Sequence, residues 1–113
     1  MFKLFHKQKV QDKDEAVLTQ LTKHGSDLSK PHSIDFFLYF PKKEIAEQGK
    51  MMIQERFANS SAIVRGSDKS FLCKVNISMA PDSDVLENIS LQLEAIAASL
   101  DGEYDGWETG IVK

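Results

Sequence analysis

Six residues near the C-terminal end of the chain are the best candidates for contact with another molecule. They mix aromatic and acidic side chains: Asp101, Glu103, Tyr104, Asp105, Trp107 and Glu108. Tyr and Trp are enriched among the residues that anchor protein–protein interfaces, and carboxylates attract basic groups. The residue types and their spacing therefore predict a surface that binds a basic segment of a protein partner.

A divalent cation or an acid/base pair would also use carboxylates, but in a different arrangement. Neighbouring residues of a strand point to opposite faces, and the segment lacks the Asp-x-Asp-x-Asp-Gly loop, ending in a spaced Glu, that binds calcium. A solvated acidic edge is the simpler interpretation. The sequence predicts no metal site, no cofactor and no catalytic residue, and so a protein that is not an enzyme.

The other residues of chemical interest favour structural roles. His6, His24 and His32 fall in a tail, at a helix end and in a loop, and His24 beside Gly25 suits a helix C-terminus, where a cation is favourable. Cys73 lies on the apolar side of a strand, where a free thiol packs as a small hydrophobe. As the only cysteine it cannot form an intramolecular disulfide, which favours an intracellular protein.

The net charge of −3 conceals a strong asymmetry along the chain. Residues 1–81 carry 13 Lys and Arg against 9 Asp and Glu, whereas residues 82–113 carry 1 against 8. The acidic part also contains Trp107, which favours a basic protein partner over a nucleic acid. No apolar run approaches the roughly 20 residues that span a bilayer, and no signal-peptide core follows the basic start. We therefore expect a cytoplasmic protein with no membrane segment.

Apolar periodicity predicts a single domain over residues 1–113, preceded by a flexible basic tail at 1–11. The predicted helices are 12–24, 42–58 and a third that is capped by Asp82 and ends near Leu100. The predicted strands are 33–40, 62–65, 71–79 and a last one that contains the aromatic pair. Gly102 is expected to take the left-handed position that ends the third helix.

The order of these elements predicts an α+β fold. The last six form a βαββαβ unit, a ferredoxin-like two-layer sandwich in which two helices cover one face of a four-stranded antiparallel sheet. The helix at 12–24 is additional, and either covers part of the second face or leaves it to a partner. An edge strand would permit pairing between two copies, so we expect a monomer or a weak homodimer.

The second face of the predicted sheet leaves an alternative function open. Phe37 and Tyr39 there suit base stacking, as in an RNA-recognition motif, but Lys74 and its neighbours replace that motif's Lys/Arg-Gly-aromatic signature. No direct nucleic-acid binding is predicted. The alternative is a small-ligand binder or enzyme that uses this face. A flat acidic surface with an exposed Trp107 would favour a binding module, and a pocket with convergent polar groups would favour the alternative.

The turn inside the acidic segment is also ambiguous. Asp105-Gly106 is an ordinary hairpin signal, but only seven residues follow it, so a β-bulge that re-aims Trp107 fits equally well. Trp107 itself is either a packing residue at the end of the sheet or an interface anchor.

The run Glu103-Tyr104-Asp105-Gly106-Trp107 after the third helix resembles the regulator of ribonuclease E activity B family. Gly25-Ser26-Asp27 and Asp35-Phe36-Phe37 support the resemblance, which extends from the first helix to Thr109. It implies a ferredoxin-like fold without catalytic activity. It also implies a protein that binds and inhibits ribonuclease E, and so slows the decay of bacterial messenger RNA.

Overall fold

Eight described elements of secondary structure form one sheet and one layer of helices. The computed structural model describes residues 2–3, 10–66 and 68–113, with the backbone alone for 2–3 and 10–13. In chain order the elements are β1 (Phe2–Lys3), α1 (Val10–Lys23), β2 (His32–Phe40), α2 (Lys43–Arg56), β3 (Ser61–Gly66), β4 (Phe71–Met79), α3 (Ser83–Ser99) and β5 (Glu103–Thr109). The predicted helices and strands agree with these bounds to within two residues.

The short strand β1 is the element that the sequence did not predict. Phe2 pairs with Thr109 of β5, and Lys3 pairs with Glu108. Most of the tail predicted at residues 1–11 lies outside the described residues. The described parts of it are β1 and the first two residues of α1, Val10 and Gln11.

The strand order is β1-β5-β2-β4-β3, and every neighbouring pair is antiparallel. The four strands β5-β2-β4-β3, together with α2 and α3, form the βαββαβ ferredoxin-like sandwich that the sequence predicted. Helix α1 is the predicted addition. The α+β fold is therefore confirmed, and β1 extends its four-stranded sheet by one strand.

All three helices lie on the same face of the sheet. Helix α2 comes close to the sheet at Gly49, where an added Cβ atom would lie 2.8 Å from Cζ of Phe40. Helix α3 approaches through Ser90, which hydrogen-bonds to Tyr104 of β5. Helix α1 packs beside α3 in the same layer. Among the described elements no helix lies on the second face, so of the two alternatives for α1 the structure shows the one in which α1 does not cover this face.

The alternation of side chains along the central strands produces the core. Four residues of β2 and three of β4 face the helices and are buried: Ile34, Phe36, Leu38, Phe40, Cys73, Val75 and Ile77. Each large apolar side chain contributes about 1.5–3 kcal/mol when it is fully buried. The intervening residues of β2, among them Asp35, Phe37 and Tyr39, are half-buried on the second face, as the period of two predicted.

Helix α3 begins at the predicted N-cap. The Asp82 carboxylate accepts hydrogen bonds from the backbone N–H groups of Asp84 (2.9 Å) and Val85 (3.1 Å). These bonds satisfy two donors that the first turn of a helix otherwise leaves unpaired, and the negative charge suits the positive end of the helix dipole.

The end of α3 differs from the prediction. The N–H of Gly102 donates to the Ala97 carbonyl (2.7 Å) and the N–H of Asp101 to that of Ala98 (3.4 Å), which is a Schellman cap. The residue in the left-handed conformation is Asp101, with φ 56°, so the assignment of that position to Gly102 is wrong. Asp tolerates this conformation better than most residues with a side chain.

Gly102 is required for a different reason, the close approach of strand β2. A Cβ atom at this position would lie 2.5 Å from Cδ1 of Phe40 and 2.7 Å from the backbone oxygen of Tyr39. Both distances are far below van der Waals contact, and the backbone oxygen is fixed by the sheet.

The substitution Gly102→Ala should therefore lower the free energy of unfolding by about 1–3 kcal/mol, which is the usual cost of overpacking. The matched control is Gly110→Ala, because a Cβ atom there meets no atom within 4 Å. Urea denaturation of the two variants checks this expectation. Equal stability of both variants would contradict it.

Candidate functional site

Strand β5 contains a β-bulge that turns two aromatic side chains to the same face of the sheet. Tyr104 pairs with Leu38, whereas Gly106 pairs with the preceding residue of β2, so Asp105 is the extra residue of the bulge. In a regular strand Tyr104 and Trp107, three positions apart, would point to opposite faces. Here both point toward the helices. Of the two interpretations of Asp105-Gly106, the structure shows the bulge.

Gly106 makes this bulge possible. Its φ is 112°, in the region that residues with a side chain rarely adopt. A glycine in the Glu-Tyr-Asp-Gly-Trp run therefore has a backbone role, because it lets the strand bend and resume its ladder with Trp107 re-aimed.

Trp107 is a core residue. It lies opposite Phe36, is 0% exposed, and its Nε1–H donates a hydrogen bond to Oδ1 of Asp14 (2.9 Å). The expectation of an exposed Trp107 is wrong, because the bulge directs the ring inward. The indole instead fastens α1 to the sheet through a buried hydrogen bond.

Tyr104 has a similar position. It is 1% exposed, and its hydroxyl shares a 2.9 Å hydrogen bond with Oγ of Ser90 on α3. Burial raises the pKa of the Tyr104 hydroxyl, so the phenol stays protonated at neutral pH. Tyr104 and Trp107 therefore offer no surface to a partner in this conformation. Their hydrogen bonds to α3 and α1 instead fix the position of β5, which carries the neighbouring carboxylates.

Asp14 is the buried acceptor of the Trp107 bond, and sequence reasoning missed it. Its side chain is 0% exposed, and its Oδ2 has no hydrogen-bond partner among the described residues. Burial raises the pKa of this carboxyl to about 6; the Trp107 bond opposes the rise, and the charge of Glu87 adds to it. The spacing in the sequence does indicate that Asp14 faces the core. It precedes Leu18 and Leu21 by four and seven residues, so all three lie on the same face of the helix.

The four acidic candidates lie at the surface, and we call them the acidic edge: Asp101, Glu103, Asp105 and Glu108. Asp101 and Glu103 are exposed, and Asp105 and Glu108 are half-exposed. Three of them border an open groove of about 760 Å³ at the end of β2, which is lined by Tyr39, Phe40, Pro41, Lys69, Ser70, Asp101, Gly102, Glu103 and Asp105. Of the six predicted contact residues, the structure thus places four at the surface and two in the core.

The chemistry of this groove is that of a cation-attracting surface. Among the described residues that line it, Asp101, Glu103 and Asp105 are acidic and Lys69 is basic, and Tyr39 adds an aromatic ring. A ring flanked by carboxylates favours a lysine or arginine side chain. The groove is open and does not enclose a small molecule. Within residues 10–66 and 68–113, no three His, Cys, Asp or Glu side chains are grouped so that they could hold a metal ion.

His32 and Ser26 form a buried pair that the sequence did not predict. His32 was expected in a loop, but it is the first residue of β2 and is 0% exposed. Its Nδ1 donates to the Lys30 carbonyl (2.8 Å), and its Nε2 shares a 2.7 Å hydrogen bond with Oγ of Ser26. Ser26 also accepts from the N–H of Val112 (2.9 Å), so the pair fastens the C-terminal segment.

The other predicted structural residues behave as follows. Cys73 is buried in β4, and burial raises its pKa to about 11, so the thiol remains protonated and unreactive at neutral pH. His24 donates from Nδ1 to the Gln20 carbonyl (2.8 Å) at the end of α1. His6 lies outside the described residues. In the part of the chain that the structure describes, we find no helix with both the length and the apolar content to cross a bilayer.

Comparison with protein families gives a match that covers most of the chain. The family model described as regulator of ribonuclease activity B matches residues 11–109, which extend from α1 through the whole of β5. The matched region therefore contains the bulge, the acidic edge and both members of the Asp14–Trp107 bond. A search of curated proteins finds no match.

The first prediction from this site concerns the indole hydrogen bond. Trp107→Phe keeps an aromatic ring but leaves both oxygens of Asp14 unpaired in the core, so it should cost about 2 kcal/mol or more of stability. The same substitution in an Asp14→Ala background should cost less, because the acceptor is already gone. A double-mutant cycle by urea denaturation measures the difference, and an equal cost in both backgrounds would contradict the bond.

The second prediction concerns pH. The pKa of Asp14 rises from its ordinary value of 3.8 to about 6 in the fold, so the folded state holds its proton more tightly than the unfolded state. This contribution to stability is complete below pH 3.8 and is lost as the pH rises through about 6. Relative to Asp14→Asn, the wild type should lose about 1–3 kcal/mol across this window. Parallel pH profiles of the two proteins would refute the assignment.

Proposed function

Because the chain belongs to the regulator of ribonuclease activity B family, we propose that it is a non-enzymatic protein that binds ribonuclease E and inhibits it. Its action would slow the decay of messenger RNA in the bacterial cytoplasm. The observation that carries this proposal is the family match over residues 11–109, which covers the whole ferredoxin-like unit together with α1.

The acidic edge is the proposed contact surface, and its partner is a basic segment of the nuclease. Residues 82–113 carry 8 acidic side chains and 1 basic one, and the four carboxylates of the edge reach the surface. A single exposed ion pair contributes only about 0–1 kcal/mol, so the affinity must come from several pairs together. Tyr39 in the adjoining groove adds an aromatic face that a partner's cation can cover, for about 0.5–2 kcal/mol.

The buried groups support a role without catalysis. Ser26 and His32 are within hydrogen-bond distance, as a nucleophile and base would be, but they are 7% and 0% exposed and no substrate reaches them. The Cys73 thiol is buried and protonated. In this proposal these side chains stabilise the fold. Inhibition results from binding of the protein to the nuclease.

Direct binding of RNA is not part of the proposal. The acidic edge repels phosphates, and binding to nucleic acid generally requires clustered Lys and Arg side chains. The regulator is proposed to act on the nuclease and not on its substrate.

A pull-down with purified ribonuclease E tests the contact surface. The variant Asp105→Lys/Glu108→Lys reverses two charges of the acidic edge and should weaken binding by about tenfold or more. The matched control is Glu47→Lys/Glu55→Lys, which makes the same change of charge on exposed positions of α2. Circular dichroism and thermal denaturation establish that each variant is folded.

The same proteins are then compared in a cleavage assay with a labelled RNA. The wild type and the α2 control should slow cleavage by ribonuclease E, and the edge variant should not. Binding should also weaken as salt is raised, because the contacts are between exposed charges. Failure of the wild type to bind the nuclease would refute the proposed function. Equal losses in both charge-reversed variants would refute the acidic edge as its surface.

A further inference from the structure

The outward sides of α2 and α3 carry exposed side chains in the same pattern. On each helix three exposed residues follow one another at intervals of seven and four, which places them on one line along the helix. They are Glu44, Met51 and Glu55 on α2, and Asp84, Leu91 and Ala95 on α3. Met51 is 65% exposed and Leu91 is 54% exposed, the largest fractions among the large apolar residues that the structure describes.

A groove between the two helices, which we call the helix groove, joins these apolar side chains into one patch. Its volume is about 400 Å³, and it is lined by Met52, Arg56, Asn88, Leu91, Gln92, Ala95, Ile96 and Ser99. From Asn88 to Ser99 it follows three turns of α3, about 16 Å. Met52, Leu91 and Ile96 line the same groove, so its apolar side chains are contiguous. A contiguous exposed apolar patch indicates a contact surface, whereas scattered exposed apolar residues do not.

The polar side chains of the helix groove already have partners within the chain. Nη1 of Arg56 donates a hydrogen bond to Oε1 of Gln92 (3.0 Å), and the amide of Gln92 donates to Oδ1 of Asn88. The first of these bonds crosses from α2 to α3. The groove is therefore formed before any ligand binds, and a ligand in it gains mainly apolar contact.

The charges that border the helix groove are mostly negative. The outward lines of the two helices carry the carboxylates of Glu44, Glu55 and Asp84. Among the described residues that line the groove, Arg56 is the basic one. Helix α3 contains no Lys or Arg over its whole length. The border of the groove therefore attracts a positively charged ligand.

The two lysines of α2 do not cancel this negative charge. Lys50 is two residues before Met52, which is about 200° around the helix, so it lies on the side away from α3. Lys43 is two turns before Lys50 and shares that side. Glu47 lies between the two lysines at spacings of four and three residues, and it offsets part of their charge.

We propose that the helix groove docks an amphipathic helix of a partner protein, with apolar side chains on its inner face and Lys or Arg on its flanks. Apolar anchors one turn apart would cover Met51, Met52 and Leu91, and the basic flanks would reach the three bordering carboxylates. A third helix packs on a pair of helices at about 8–10 Å, and methionine side chains adapt readily to such a ligand. This contact is separate from the acidic edge and goes beyond the proposed function.

Other occupants fit the helix groove less well. A second copy of the chain would bring the same three carboxylates against this border, and a nucleic acid would bring phosphates, so both are repelled. The groove is open along its length and does not enclose a small molecule. A contact over three turns is at the low end of interface sizes, so we expect a dissociation constant of about 10–100 μM.

Titration of a labelled synthetic peptide with the full chain, followed by fluorescence anisotropy, tests the apolar part of the proposal. The probe has about 18 residues of Leu and Lys, with Leu at alternating intervals of three and four. The variant Met51→Gln/Leu91→Gln should weaken binding by about tenfold or more, because it removes apolar contact without a change of charge. The control Ile63→Gln changes an isoleucine of β3 that is 42% exposed and should bind as the wild type does.

The charged part is tested with Glu44→Lys/Asp84→Lys, which should also weaken binding by about tenfold. Its control is Asp105→Lys/Glu108→Lys, which makes the same change of charge on the acidic edge and should stay within about threefold of the wild type. Circular dichroism establishes that each variant is folded. The assay contains no ribonuclease, so its outcome does not depend on the proposed function.

Three outcomes would overturn the proposal. The first is a wild type that does not bind the peptide at about 1 mM protein. The second is equal binding of a scrambled peptide with the same composition, because the groove would then not select an amphipathic helix. The third is a loss of binding in the acidic-edge control that equals or exceeds the losses in the two groove variants, because the peptide would then bind at β5.

Discussion

The single extra residue in β5 determines which side chains are inside this protein and which are outside. A regular strand would place Tyr104 and Trp107 on opposite faces of the sheet, so one of the two rings would no longer pack against the helices. The bulge at Asp105 brings both rings into the core, where each meets a different helix: Tyr104 meets α3 and Trp107 meets α1. The same shift places Glu108, which follows the bulge, on the face opposite the helices. Gly106, in its positive-φ conformation, is the residue on which this depends.

The attachment of α1 follows from this arrangement. The helix is outside the ferredoxin-like unit, and its contact with the unit combines the apolar side chains of Leu18 and Leu21 with one buried hydrogen bond to the indole. The acceptor of that bond is a carboxylate with one unpaired oxygen, which is an expensive group to bury. A neutral residue would be cheaper at this position. The carboxyl makes the fit of α1 depend on its protonation, a dependence that the apolar side chains around it do not have.

Sequence reasoning succeeded where one periodicity runs without interruption. The strand from Phe71 to Met79 alternates throughout, and the structure gives it the predicted bounds. Reasoning failed where a local event shifts the period or where a residue pairs with a distant one. The faces of Tyr104 and Trp107 depend on whether Asp105-Gly106 is a turn or a bulge, and both fit the sequence. The left-handed cap was assigned to Gly102 on intrinsic preference, but the helix ends one residue earlier.

The candidate site shows the same division. Exposure of the acidic side chains could be predicted, because carboxylates seldom lie in a core without a partner. Burial of Asp14 and of His32 could not be predicted with the same rule, because each has a partner far along the chain or in an adjoining loop. The short β1 was beyond prediction as well, since two residues carry no periodicity. Which carboxylates a partner contacts is a property of the complex and not of this chain alone.

The placement of the acidic residues on β5 has a consequence for the thermodynamics of association. Strand β5 is hydrogen-bonded to β2 along most of its length, and to β1 at Glu108 and Thr109. Its backbone has therefore already lost its conformational freedom, which costs about 1–2 kcal/mol for each residue that is ordered. An acidic segment in a disordered tail would incur that cost on binding. In this protein the segment is already ordered in the folded state before it binds. Less of the favourable electrostatic interaction with a partner is therefore offset by the loss of conformational entropy.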